Sequence, residues 1–334
     1  MVQVKLAIIG GGSWGTALAL ALARRFESVG LWIFEAELAE RIEATRENDA
    51  YLPGFQLPAN VAMTAKLDAA LHRADFVLGV MPSQHARGLY SAMLPYLNSS
   101  MILVSATKGI EKVSLLRMSE VAGEVVGTRF APKIAVLSGP TFAREIAAGE
   151  PAAVAVSSAD LDVAKQVQAA FSSGSLRIYT NPDPVGVEVG AALKNVVAIA
   201  AGVCHGLGLG NNTKAALITR GLAEITRLAV AMGGQKETLA GLAGLGDLVL
   251  TCSGDLSRNR MVGIELARGR TLREILESTK MVAEGVETCD AAMALGQKFK
   301  VDLPIVEQMH AVLHQDKSPQ AALRELMERS LKGE

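Results

Sequence analysis

A short apolar run, Val4–Ile9, leads directly into Gly10-Gly-Gly12-Ser-Trp-Gly15, and that junction admits few folds. The glycines are spaced GxGxxG. Read as the turn between a buried strand and the helix after it, the spacing gives each glycine a task. Gly10 permits the tight turn, Gly12 lets backbone approach a pyrophosphate, and Gly15 lets the helix pack on the strand. The N–H groups at the start of that helix, with Ser13 and Trp14 among them, then face the anion. A second strand-like run ends near Phe34 and Glu35. An acid there can accept hydrogen bonds from an adenosine ribose and repel a 2′-phosphate, which favours NAD over NADP.

The turn sits in a wider alternation. Val4–Ile9, Val29–Phe34, Phe76–Val80, Met101–Ser105, Ile134–Leu137 and Ala152–Val156 read as buried strands, with Leu176–Thr180 as a last strand. Helical periodicity separates several of them, as at Ala17–Phe26 and Leu38–Glu47. Alternating strands and helices predict an α/β, Rossmann-like domain whose mostly parallel sheet is covered on both faces. After the turn-rich Thr180-Asn-Pro-Asp-Pro184 the pattern becomes helical. Helices are expected at Val185–Cys204, Thr213–Met232, Arg258–Arg268, Thr271–Glu277, Cys289–Phe299 and Pro304–Leu313. The division falls at residue 185: a dinucleotide-binding domain over 1–185 and an all-helical substrate-binding and dimerisation domain over 186–334.

Composition narrows the partners. The formal net charge is -1 and no basic block stands out, which argues against nucleic acid. Any phosphate must be recognised locally, by a few groups. Cys204, Cys252 and Cys289 are far apart and form no CxxC pair, so neither a disulfide framework nor a metal site is expected. The longest apolar run, Val196–Cys204, is too short to span a bilayer, and no leader pattern opens the chain. A cytoplasmic protein without an integral membrane segment is the expectation.

Polar residues recur where strands should stop, and ligands of open α/β sheets bind beyond the strands' carboxyl ends. Lys108 follows one strand, and Gly139 and Thr141 follow another, offering a backbone N–H and a hydroxyl. Lys194, with Asn195 beside it, lies in a helix apolar nearly all round, with Gly186 and Gly190 allowing close contact. Burial there would lower the amine's pKa toward a range useful for proton transfer. Downstream, Gly241-Leu-Ala-Gly-Leu-Gly-Asp247 ends in an acid, and Ser257-Arg-Asn-Arg260 follows Thr251. Asp247 can serve a substrate hydroxyl or orient Lys194. Arg258 can grip a phosphate in bidentate fashion, and Asn259 can add a neutral donor.

Taken in order, GGGSWGTALA, PSQHAR, SATKGIE, LSGPTFAREIA, LKNVVAIAAG, TRGLAE, GLAGLGDLVLTC and SRNR resemble the bacterial NAD(P)-dependent glycerol-3-phosphate dehydrogenases over nearly the whole chain. The resemblance implies hydride transfer between NAD or NADP and C2 of dihydroxyacetone phosphate, a small-molecule substrate, by a homodimer that supplies glycerophospholipid synthesis. It makes Lys194 the general acid/base, with Lys108 and Asp247 beside it. Lys108, Gly139, Thr141, Lys194, Asn195, Asp247, Ser257, Arg258 and Asn259 fall at substrate positions. Ser13, Trp14, Phe34, Lys108, Ala143, Arg258, Val282 and Glu284 fall at cofactor positions. Only the resemblance points to Val282 and Glu284. Phe34-Glu35-Ala36 departs from the histidine or basic residue that family members often carry there.

Overall fold

The computed structural model describes residues 4–278 and 283–330. Eight strands form one sheet: β1 (Lys5–Ile9), β2 (Ser28–Trp32), β3 (Val61–Thr64), β4 (Phe76–Gly79), β5 (Ile102–Ser105), β6 (Lys133–Ser138), β7 (Ala152–Ser157) and β8 (Leu176–Asn181). Their order is β3-β2-β1-β4-β5-β6-β7-β8. Neighbours run parallel except β6 and β7, which pair antiparallel with Val136 opposite Ser157. The strand order reverses beside β1, so the crevice between the ends of β1 and β4 is the topological switch point.

Sequence reasoning missed β3, a four-residue strand whose pattern is broken by an exposed Ala62. It also ran β2 two residues too far. The strand stops at Trp32, which leaves Phe34 in a connection with 79% of its surface exposed and Glu35 at the N-cap of the next helix.

Period-two burial explains why the central strands are apolar throughout. Leu6 and Ile8 enter the core on one face of the sheet, Ala7 and Ile9 the core on the other. Helices α1 (Ser13–Leu22), α2 (Ala36–Thr45), α3 (Leu67–Leu71), α4 (Ala86–Met93), α5 (Met118–Gly127), α6 (Ala143–Ala147) and α7 (Leu161–Phe171) connect the strands. Helix α1 starts four residues before the expected Ala17, so its first turn is built from the glycine loop itself.

Beyond β8 the described residues are helical: α8 (Pro184–Gly206), α9 (Asn211–Ala231), α10 (Lys236–Leu239), α11 (Asp247–Ser253), α12 (Arg258–Ala267), α13 (Leu272–Glu277), α14 (Glu284–Phe299), α15 (Pro304–His314) and α16 (Pro319–Met327). A π-helical turn, Leu242–Gly246, leads into α11. Helix α14 begins five residues before the expected Cys289.

Helix α8 is the axis of this half. Pro184 at its first position and Asp183 at its N-cap start it; the carboxylate accepts from Gly186 N at 2.8 Å, and from Gln235 N at 2.8 Å. Its 23 residues are apolar enough, by length and composition, to cross a membrane, which the shorter run Val196–Cys204 did not suggest. Protein encloses it instead: every residue from Gly186 to Cys204 is buried. Helix α12 lies against it at very close range. A Cβ on Gly202 would sit 1.9 Å from Arg260 O, and one on Gly263 1.9 Å from Ile199 O. The pair of glycines is what lets the two backbones touch.

Candidate active site

The glycine loop lies at the switch point. Gly10 has φ +127°, and a Cβ there would stand 2.7 Å from Val80 O; one on Gly15 would stand 1.8 Å from Gly10 O. Neither position tolerates a side chain. Gly12 differs, because a Cβ there would meet nothing within 4 Å. The first and third glycines are demanded by packing, and the middle one faces open space where a ligand's phosphates can approach. The indole Nε1 of Trp14 is buried with no hydrogen-bond partner, and Ser13 donates to Tyr51 O at 2.8 Å. The Glu35 carboxylate accepts from the Tyr51 hydroxyl at 2.9 Å, which fixes its direction at the rim. Ala143 opens α6, which packs against α1 just behind the loop. These features fit a dinucleotide. Val282 lies outside the described residues.

A second group of side chains converges on Asp247, which is 1% exposed at the first turn of α11. Its Oδ2 accepts from Lys108 Nζ at 2.7 Å, and its Oδ1 lies 2.9 Å from Lys194 Nζ. One carboxylate thus bridges two ammonium groups from different halves of the chain. Lys108 also donates to Gly139 O at 3.2 Å, and Thr141 donates its hydroxyl to the same carbonyl at 3.2 Å. The carbonyl of Gly139, rather than its N–H, is therefore what this cluster engages. The glycine itself is required by contact, since a Cβ would stand 2.8 Å from Val154 Cα.

Lys194 does not reach the surface; it is 5% exposed at mid-helix. Thr251 secures it, accepting from Nζ at 2.7 Å while donating to Asp247 O at 2.6 Å. Sequence reasoning gave Thr251 no role. The signal was present: Thr251 is four residues after Asp247, on the same face of α11. Electrostatics follow from burial. Desolvation pulls Lys194 down to about 8, against the opposing pull of Asp247 and with help from the Lys108 charge. Burial alone would raise the Asp247 carboxyl, but the two lysines hold it below the usual range.

One residue further along α8, Asn195 Oδ1 accepts from Asn259 Nδ2 at 3.0 Å, and Asn259 Oδ1 accepts from Gly285 N at 2.9 Å. This chain fastens α8, α12 and α14 together. Ser257 caps α12, accepting from Arg260 N at 3.3 Å. Arg258, the first residue of α12, is exposed and forms no hydrogen bond or ion pair with a described residue. Desolvation lowers its guanidinium, and the nearby Glu284 charge works against that shift. Glu284 accepts from Ser83 N at 3.1 Å and Ser83 Oγ at 2.6 Å, clasping the Pro-Ser-Gln loop after β4 to the start of α14. Ser83 was not anticipated, because a serine after a strand carries no distinctive signal.

The loops after β1, β4 and β5 all leave the same rim of the sheet. The structure joins Lys108, Gly139, Thr141, Lys194, Asp247 and Thr251 in one cluster and Asn195, Asn259 and Gly285 in another, while Arg258 stands apart from both.

Comparison with known proteins gives a consistent result. Residues 5–164 match the family described as NAD-dependent glycerol-3-phosphate dehydrogenase N-terminus, and residues 183–324 its C-terminus. The chain is 57% identical to the glycerol-3-phosphate dehydrogenase (NAD(P)+) of Koribacter versatilis over 97% of each chain. It is 51% identical to the enzyme of that name from Geobacter sulfurreducens, over 99% of this chain and 98% of the relative. Among solved structures, glycerol-3-phosphate dehydrogenase from Coxiella burnetii superposes with a TM-score of 0.94 at 40% identity, over 98% of this chain and 99% of the other.

Proposed function

Because the chain belongs to the NAD-dependent glycerol-3-phosphate dehydrogenases, and is thereby an NAD(P)-dependent oxidoreductase, we propose that Lys194 is its general acid/base. The observation that carries this reading is the Asp247 carboxylate shared by Lys194 and Lys108 in a buried site.

When bound, NAD(P)H supplies the hydride that reduces C2 of dihydroxyacetone phosphate. As C2 gains that electron pair, the carbonyl π pair moves onto the oxygen, and negative charge grows there. The cluster meets it with two ammonium groups and one carboxylate, a net positive charge at low dielectric. Lys194 has a third N–H beyond its contacts to Thr251 and Asp247, and that proton passes to the oxygen to give sn-glycerol 3-phosphate. The amine is left neutral and is reprotonated from solvent. Oxidation runs the same transfer backward. With an amine near 8, both directions are accessible close to neutral pH.

Arg258 is the phosphate anchor in this reading. Its guanidinium is exposed and stands at the N-terminus of a ten-residue helix, where an anion is favoured. Binding energy from the remote phosphate then holds the ketone in register with the acid. Lys108, Gly139, Thr141, Asn195, Asp247, Ser257 and Asn259 line the substrate side. Gly10, Gly12, Ser13, Trp14, Gly15, Phe34, Glu35, Ala143 and Glu284 line the cofactor side. The Tyr51-held Glu35 disfavours a 2′-phosphate and so favours NAD. The proposal extends to a division near residue 185 and to a cytoplasmic homodimer supplying glycerophospholipid synthesis. Val230, Val249, Leu256 and Met261 are exposed apolar side chains of the helical half, surface that a second copy would cover.

The test is the loss of reduced-nicotinamide absorbance on adding dihydroxyacetone phosphate, with NADH and NADPH in parallel. Lys194→Ala should lower turnover at least ~100-fold with cofactor affinity retained. Arg258→Ala should chiefly raise KM for the phosphorylated substrate. Equal losses of cofactor binding in Lys194→Ala would overturn the assignment.

A further inference from the structure

Away from the site just described, three metal-competent side chains meet on the outer face of the helical half. His310 and His314 lie one turn apart on α15, and Asp290 faces them from α14. Asp290 Oδ1 is 3.5 Å from His310 Nε2 and 3.0 Å from His314 Nε2. The ligand-capable atoms of all three residues lie within 4.8 Å of one another.

We propose that Asp290, His310 and His314 form a binding site for a divalent transition-metal cation of the zinc class, separate from the oxidoreductase centre. Bonds of about 2.0–2.1 Å in a tetrahedral site place neighbouring ligand atoms ~3.3–3.4 Å apart. The two nitrogen–oxygen distances, 3.5 and 3.0 Å, bracket that edge. The set of two imidazoles and one carboxylate is the borderline-soft donor set that zinc accepts and that magnesium or calcium does not prefer. Histidines at i and i+4 share a helix face, so the backbone of α15 already directs both rings to one point. The side chains are 29%, 26% and 30% exposed for Asp290, His310 and His314, which gives the ion an entry path and room for a water ligand.

The carboxylate is oriented from behind. Lys112 Nζ stands 2.7 Å from Asp290 Oδ2 and 2.7 Å from Glu287 Oε2, leaving Oδ1 turned to the imidazoles. Such an outer contact fixes a ligand's direction, although here its positive charge also weakens the attraction for a cation. The neighbouring thiol does not compete: Cys289 is buried, and its Sγ is turned to Val306 O at 3.7 Å. A bound ion would staple α14 to α15, and through Lys112 it would bear on the loop that carries Lys108.

The experiment is calorimetric titration of the full chain, stripped by chelator and dialysed, with Zn2+, repeated with Co2+ to read a tetrahedral visible absorption band. One ion per chain is expected. His310→Gln and His314→Gln should each weaken binding at least ~10-fold with unchanged far-UV circular dichroism. Controls in which His72 or His205 is replaced by Gln should bind as the wild type does. Zinc should raise the melting temperature of the wild type more than that of His310→Gln. Absence of saturable one-to-one binding, or binding indifferent to both His310→Gln and His314→Gln, overturns the proposal.

Discussion

At the scale of single residues, the chemistry depends on an amine whose acidity is a balance. Desolvation and the Lys108 charge push Lys194 down, and Asp247 holds it up at about 8. Ketone reduction needs the protonated amine. Turnover in that direction should therefore be flat below this value and fall by up to tenfold per pH unit above it. Replacing Asp247 by Asn removes the upward pull, so the fall should begin at lower pH, as the pH dependence of kcat for reduction would reveal. A purely structural carboxylate would lower activity or stability without moving that limb. Lys194 was legible in the sequence because a lone lysine among Ala, Val and Leu has few reasons to be there. The partnership was legible in part: Asp247 was expected to serve Lys194 and the resemblance put Lys108 nearby, but that both lysines share one carboxylate was not foreseen. Lys108 and Asp247 are 139 residues apart, and only the tertiary fold puts them 2.7 Å from each other.

Elements were easier to read in the sheet than in the helices. Central strands are buried on both faces and appear as continuous apolar runs, which is why β1, β4, β5 and β7 stood out. The edge strand β3 is short and half exposed, and its four residues carry too little pattern. That β7 runs antiparallel to β6 could not be inferred, since a buried strand has the same composition in either direction. The contact between α8 and α12 was equally hidden. Gly186 and Gly190 drew notice in the sequence. Gly186 fits beneath its own N-cap, where a Cβ would lie 2.2 Å from Asp183 Oδ2, and Gly190 meets the π-helical turn at Ala243. The glycines that seat α12 are Gly202 and Gly263, many residues apart in the chain. Gly202→Ala would thrust a methyl group into the Arg260 carbonyl, and neither backbone can yield without shifting the helix. Overpacking of this kind typically costs ~1–3 kcal/mol, to be checked by chemical denaturation. An unchanged midpoint would show that the helices separate easily.

Across the whole molecule, the sheet-bearing and helical halves are joined around the site by polar ties as well as by apolar packing. Ser83 meets Glu284, Lys108 meets Asp247, and Lys112 meets Glu287 and Asp290. Glu188, buried on α8, accepts from Arg117 Nη1 at 2.6 Å and from Ser119 N at 2.8 Å. The Ser83 tie lies beside the switch point, so its loss should reach the cofactor. Glu284→Ala is expected to weaken NADH binding about tenfold, the order of a lost charge-assisted hydrogen bond, with a smaller change in kcat. Fluorescence titration of NADH would measure this, and unaltered affinity would remove Glu284 from the cofactor side. Helix α8 runs through the middle of these ties with no residue between Gly186 and Cys204 exposed. A segment so enclosed has no local opening of its own, because freeing it requires dismantling its neighbours on every side. The proton affinity of Lys194 is thus protected from the fraying that retunes groups on loops and helix ends, and it persists for as long as the native state itself.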